Sequence, residues 1–136
     1  MEGEKKLVMI TGISGYIGSQ TCYQFLKLGT MKVRGTVRST KNEARLQPLK
    51  DAFGDLYNEL ELVEADLNDE ASMIAACEGC NYVIHTASPF FSDKPKDVKK
   101  DLLDPAINGT KCIMKGCAKF KVEKCVITSS MVAMIM

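Results

Sequence analysis

The sequence predicts an α/β fold, a doubly wound parallel sheet of about five strands in the order 3-2-1-4-5. Two observations predict it. Short apolar runs alternate with stretches of helical periodicity along the whole chain, the pattern of successive βαβ units. Three glycines, Gly12, Gly15 and Gly18, lie between the first apolar run and the first helical stretch. A sheet that winds outward in both directions from its first strand has its switch point just outside that strand's C-terminal end, where these glycines stand.

Leu7 to Ile10 is the first strand. Tyr16 to Leu28 follows as a helix, with Ile17, Cys22, Phe25 and Leu28 near one face and Gly29 as its stop. Met31 to Val37 is the second strand, with Val33 and Val37 on one side and Gly35 between them. Thr40 to Phe53 reads as a second helix that Pro48 breaks or kinks, because proline removes a backbone donor and its ring crowds the preceding turn. Leu60 to Glu64 alternates as a third strand, and Asp69 caps a short helix ending near Cys77. Tyr82 to Thr86 is apolar enough for the interior of the sheet. Lys96 to Lys119 holds a long amphipathic helix, with Pro105 at a start or a kink. Cys125 to Thr128 is the fifth strand, followed by Ser129 and Ser130. No repeat, low-complexity tract or linker divides the chain, so residues 1–136 read as one domain.

The length of 136 residues suffices for one domain with a real core. With 46% hydrophobic and 26% charged residues the composition is that of an ordinary globular protein. A formal net charge of +1 gives no clustered basic excess, so nucleic acid is not an expected partner. No apolar run approaches the roughly 20 residues of a membrane span, and the run from Met131 to Met136 is short. Cys22, Cys77, Cys80, Cys112, Cys117 and Cys125 sit mostly within apolar or helical patterns, and Met1 to Lys6 carries charge without the apolar core of a signal peptide. An intracellular, reducing compartment, the cytoplasm, is the expected location.

At the strand-to-helix turn, Gly12 lets the chain bend sharply, Gly15 lets backbone N–H groups approach a pyrophosphate, and Gly18 lets the helix pack close to the sheet. The helix N-terminus adds unpaired donors and the positive end of its dipole. Ser14 stands where the second glycine of G-x-G-x-x-G would be, so the spacing is G-x-x-G-x-x-G. Glycines so placed also serve as a pure packing device.

Six stretches carry a resemblance: T-G-I-S-G-Y-I-G at Thr11, V-R-G-T-V-R at Val33, E-A-D-L at Glu64, V-I-H-T-A-S-P-F at Val83, D-P-A-I-N-G-T at Asp104 and V-I-T-S-S at Val126. In this order and spacing the chain resembles the N-terminal part of an extended short-chain dehydrogenase/reductase of the epimerase/dehydratase superfamily, most like the dihydroflavonol and cinnamoyl-CoA reductases. The resemblance implies a Rossmann-type NAD(P)-binding domain, incomplete relative to the family before its later strands and substrate domain. It implies cofactor contacts from Gly12, Ser14, Gly15, Tyr16, Ile17 and Gly18, and from Thr86, Ala87 and Thr128.

Arg38 ends the second strand where a carboxylate would select NAD, and an arginine there tolerates a 2′-phosphate. Arg45 resembles the family's second basic contact, so NADP, as NADPH, is the expected cofactor; the alternative is that both are solvated surface charges. Asp66 matches the position that binds the adenine amino group, with Leu67 as a backbone partner, against the alternative of a helix cap.

In the family a serine and a Tyr-x-x-x-Lys pair carry the reduction of a carbonyl substrate. Ser130 aligns with the serine, and the pair is expected downstream, six residues of this sequence following Ser130. Tyr23 and Lys27 form the only such spacing here, on the helix after the glycines, and read as ordinary helix positions. His85, the single histidine, reads as a packed residue with a satisfied hydrogen bond, and Cys77 and Cys80 read as structural. Two functions stay open: the NADPH-binding part of a carbonyl reductase, and a non-catalytic nucleotide-binding or structural subunit. A sheet ending at Val126 to Thr128 with an apolar tail is also expected to need a protein partner or oligomer.

Overall fold

A computed structural model describes residues 4–89 and 95–135. Phe90 of the V-I-H-T-A-S-P-F stretch and Met136 of the apolar tail lie outside them. Five strands, β1 (Leu7–Thr11), β2 (Lys32–Val37), β3 (Leu60–Glu64), β4 (Tyr82–His85) and β5 (Lys124–Ile127), form one sheet in the order β3-β2-β1-β4-β5. Every neighbouring pair is parallel. The chain winds from β1 to one edge, crosses back, and winds to the other edge, as expected.

The alternation of β1 distributes the two cores. Val8 and Ile10 face α1 (Tyr16–Leu28) and α2 (Glu43–Phe53), packing with Cys22, Leu26, Leu46, Leu49 and Phe53. Met9 faces the other way, with Val83, and packs on α3 (Glu70–Ala76) and α4 (Asp104–Lys119) through Met73, Ala76, Cys112, Ile113 and Cys117. Helices on both faces bury Val8 to Thr11 of β1, and each fully buried large apolar side chain contributes about 1.5–3 kcal/mol.

Most boundaries fall within a residue or two of the expected ones. Gly29 stops α1, donating its N–H to the carbonyls of Phe25 and Leu26. Asp69 caps α3, its carboxylate accepting from the N–H groups of Ala71 and Ser72. Of the break or kink expected at Pro48, no break occurs: α2 starts later, at an Asn42 cap, and runs through Pro48 to Phe53. Leu46, Leu49 and Phe53 are all buried on one side of it, and that packing offsets the backbone donor lost at the proline. The long helix opens on a π-helical turn, Lys99–Leu103, and Pro105 sits in the first turn of α4, where a missing N–H costs least. The tail forms a short helix, α5 (Val132–Ile135), which the sequence pattern did not predict.

Arg34, on the Met9 face of β2, is the charged group that ties this frame together. One terminal nitrogen donates to the carbonyls of Ala76 (2.8 Å) and Glu78 (2.6 Å) at the C-terminal end of α3, and the other pairs with Glu61 on β3 at 3.0 Å. A cation at a helix C-terminus is also favoured by the dipole. Arg34→Ala leaves those carbonyls only the weak, long contacts of the Cys80 thiol and is expected to lower unfolding free energy by about 1–3 kcal/mol in urea titrations. Lys32→Ala, which breaks an exposed pair with Glu4, is expected to cost less than about 1 kcal/mol. Equal losses in the two variants would contradict this role for Arg34.

Candidate functional site

The C-terminal ends of β1 and β4 diverge into loops that frame a crevice of about 480 Å³. Gly12 follows β1 with φ +69, a conformation that L side chains rarely adopt. Its N–H donates to the Thr36 hydroxyl at 3.1 Å, and its carbonyl accepts the Gly15 N–H at 3.0 Å. A Cβ on Gly12 would lie 3.0 Å from the Cβ of Ala87, so the loop after β4 rests directly on this glycine. A Cβ on Gly18 would collide with the Gly12 carbonyl and approach the Thr86 hydroxyl at 2.9 Å. The glycine is thus what lets α1 seat against the end of β1.

Gly15 is the N-cap of α1 and provides no side-chain cap. The first intrahelical bond runs from the Ser19 N–H to the Gly15 carbonyl at 2.9 Å, so the N–H groups of Tyr16, Ile17 and Gly18 precede the ladder. With no acidic residue in the first turn, the helix presents donors and dipole to an anion.

Opposite the glycines, the loop after β4 is held by Thr11. Its hydroxyl oxygen lies 3.1 Å from the Thr86 nitrogen, 3.0 Å from the Ala87 nitrogen and 2.8 Å from His85 Nδ1, while Thr86 Oγ1 donates to the Thr11 carbonyl at 2.5 Å. His85 is buried, and burial holds its pKa below the usual imidazole value. It is a packed residue with a hydrogen-bond partner, as its sequence context suggested.

Gly12, Ser14, Gly15, Arg38, Arg45, Asp66, Leu67, Thr86 and Ala87 all line the main crevice. Arg38 and Arg45 also line an adjoining pocket of about 270 Å³ with Ser14, Ser39 and Asn42. Among the described residues neither guanidinium is paired with a carboxylate. Glu64, at the end of β3, is occupied elsewhere: its carboxylate accepts from the Thr40 N–H (2.7 Å) and hydroxyl (2.8 Å), and these bonds hold its pKa low.

Asp66 does not cap α3, since Asp69 does; its Oδ1 instead accepts the Asn68 N–H at 2.8 Å. Leu67 fills the space that a Cβ on Gly109 of α4 would take, so that glycine shapes the far wall. Tyr16 and Ile17 are exposed, Tyr16 lining a third groove with Ser19, Arg45 and Pro48. Thr128 donates its N–H to the His85 carbonyl at 3.0 Å and Ser130 begins the turn into α5, and neither lines the three crevices. Tyr23 is packed against Phe53, with ring centroids 5.8 Å apart, and Lys27 lies in the last turn of α1.

Sequence reasoning missed Thr36, Asn42 and Asp101. Asn42 carried a readable signal, an Asn just before a helix. Thr36 sits inside a strand, and Asp101, in the π-helical turn, lines the crevice from a segment distant in sequence from the glycines.

The 3-beta hydroxysteroid dehydrogenase/isomerase family matches residues 9–135. The chain is 40% identical over 128 residues to the dihydroflavonol 4-reductase of Dianthus caryophyllus, covering 94% of this chain and 35% of that protein. It is 37% identical over 128 residues to the cinnamoyl-CoA reductase CAD2 of Medicago truncatula, covering 93% and 38%. Among solved structures it resembles Gre2 of Candida albicans in complex with NADPH, at TM-score 0.75 and 31% identity over 92% of this chain and 37% of that one. Vestitone reductase of alfalfa, Medicago sativa, matches at TM-score 0.71 and 31% identity over 95% and 37%. The chain therefore spans little more than a third of the length of the curated relatives it matches.

Gly18→Ala forces a Cβ onto the Gly12 backbone and is expected to destabilise the protein by about 1–3 kcal/mol. Gly15→Ala, whose Cβ would meet only the Gly12 carbonyl at 3.3 Å, should cost clearly less. Chemical denaturation of both variants checks the order, and a reversal would refute the packing account.

Proposed function

The chain belongs to the 3-beta hydroxysteroid dehydrogenase/isomerase family, and from that premise we propose that it is the NADPH-binding part of a reductase acting on a small carbonyl compound. The observation that carries this reading is the pair Arg38 and Arg45 on one pocket beside Ser14, with no carboxylate partner among the described residues. Two unpaired guanidiniums suit a phosphate monoester, because each planar fork can hold two oxygens.

The remaining surfaces fit the rest of the nucleotide. Backbone at Gly12 and Ser14 and the α1 N-terminus from Gly15 to Gly18, with Tyr16 and Ile17, hold the pyrophosphate. Asp66 and Leu67 hold the adenine, and Thr86, Ala87 and Thr128 take the nicotinamide ribose side. The space that a Cβ would fill at Gly12 and Gly18 is taken by the Gly12 backbone, Ala87 and the Thr86 hydroxyl, so this turn admits only glycine at both positions. When bound, NADPH supplies a hydride. Ser130 orients the carbonyl oxygen, and the proton-donating tyrosine is not Tyr23, which is packed against Phe53.

The same reading includes a protein surface over the outer edge of β5. Val126, Met131, Met134 and Ile135 are all more than half exposed, apolar side chains on β5 and on the tail after it that a partner or a second copy would cover. Six free thiols, five of them buried, favour a reducing compartment, in this proposal the cytoplasm. Among the described residues no helix is long and apolar enough to cross a membrane.

NADPH is expected to bind at least about tenfold more tightly than NADH in fluorescence titrations, and Arg38→Ala to remove most of that difference. Equal affinities in the unmodified protein would overturn the cofactor assignment. Light scattering across a concentration series is expected to show association through the β5 edge, weakened by Met131→Lys; a monomer at every concentration, with no partner bound, would overturn the covering surface.

A further inference from the structure

We propose that His85 is a positioning residue: as a neutral imidazole with a bare Nδ1 and its proton on Nε2, it fixes the Thr11 hydroxyl and so the Thr86–Ala87 turn at the floor of the crevice. The turn's importance for NADPH rests on the reading above; the lock itself does not.

The assignment follows from counting donors and acceptors. A hydroxyl has one proton and two lone pairs. The Thr11 oxygen lies 3.1 Å from the Thr86 nitrogen and 3.0 Å from the Ala87 nitrogen, and backbone N–H groups can only donate, so both lone pairs are taken. One direction is left for the hydroxyl proton, and His85 Nδ1 lies 2.8 Å away. Nδ1 must therefore accept, which puts the ring proton on Nε2. An imidazolium would point Nδ1–H at an oxygen with no lone pair to offer.

Thr11 is fully buried, so a lost acceptor cannot be replaced by bulk water. If the hydroxyl turned its proton elsewhere, it would surrender one of the two N–H groups it now accepts. The turn has little room to shift in response: Ala87 rests on Gly12, and Thr86 Oγ1 is held both by the Thr11 carbonyl and against Gly18. His85 also faces β5, opposite Ile127, and its carbonyl accepts the Thr128 N–H at 3.0 Å. One residue thus joins the glycine turn, the loop after β4 and the segment leading to Ser130.

The single histidine makes the test clean. Nitrogen NMR of the unmodified protein is expected to show Nδ1 unprotonated and Nε2 protonated; the opposite tautomer would overturn the proposal without any variant. His85→Asn keeps an acceptor oxygen near the Nδ1 position, whereas His85→Phe keeps a ring and removes the acceptor. Hydrogen exchange at the Thr86 and Ala87 amides is expected to be about tenfold or more faster in the Phe variant than in the Asn variant, with the Met9 and Val83 amides unchanged between them. NADPH affinity should follow, about tenfold weaker in the Phe variant and restored in the Asn variant. Equal exchange at Thr86 and Ala87 in both variants would overturn the positioning role. If the tautomer and exchange results hold but the unmodified protein does not bind NADPH, the lock stands and the nucleotide reading falls.

Discussion

Backbone meets backbone at the end of β1, and much of the molecule follows from that close approach. α1, the loop after β4 and the last residue of β1 converge within van der Waals distance around Gly12. Side chains would keep these segments apart, so glycine is needed at Gly12 and Gly18 and alanine at the facing position of the loop. The convergence also leaves polar backbone groups in a dry place, where an unpaired group costs about 1–3 kcal/mol. The Thr11 hydroxyl accepts two of those backbone N–H groups, and the Thr86 hydroxyl in turn donates to the Thr11 carbonyl. The crevice is the space that remains above this junction, at the point where the strand order reverses.

Below the junction the sheet is held by apolar burial on two faces, with sulfur in an unusual share of the second core. Cys77, Cys80, Cys112 and Cys117 pack there as small hydrophobic groups. Burial pushes the Cys77 thiol up to about 11, and on the other face the Cys22 thiol up to about 12, which disfavours the reactive thiolate. The Cys77–Cys80 spacing therefore belongs to the turn that ends α3, where Arg34 reaches the Cys80 sulfur at 3.4 Å as well as the carbonyls. A pattern that suggests redox or metal chemistry on paper is, in the fold, part of how α3 is fastened to β2.

Local chemistry made much of this legible in advance. Apolar runs, the alternation of Leu60 to Glu64 and the 3.6-residue pattern located all five strands and the four principal helices, because an inner strand such as β1 is covered on both faces while each helix buries one face and its pattern records which. Gly12, Gly15 and Gly18, Arg38, Asp69 and the stop at Gly29 were readable because each answers a requirement of its own few residues. Pro48 left the extent of α2 open because its local cost is real while the packing of Leu46, Leu49 and Phe53 that outweighs it is tertiary. The apolar tail gave no periodicity over so short a run, so the turn of helix at Val132–Ile135 was not foreseen.

By itself, then, the sequence determined the order and type of the elements, the winding of the sheet and the place of the glycine turn, all set by periodicity and by single residues acting on their neighbours. The tertiary structure alone decided that Arg38 and Arg45 share a pocket, that Asp101 borders the crevice, and that His85 and Thr11 act together. The reason lies in register: Thr11 and Thr86 are 75 residues apart in sequence, and only the pairing of β1 with β4 brings three donors and acceptors onto one hydroxyl. No local pattern records which oxygen will be saturated, because saturation is a property of the pairing and not of the strands.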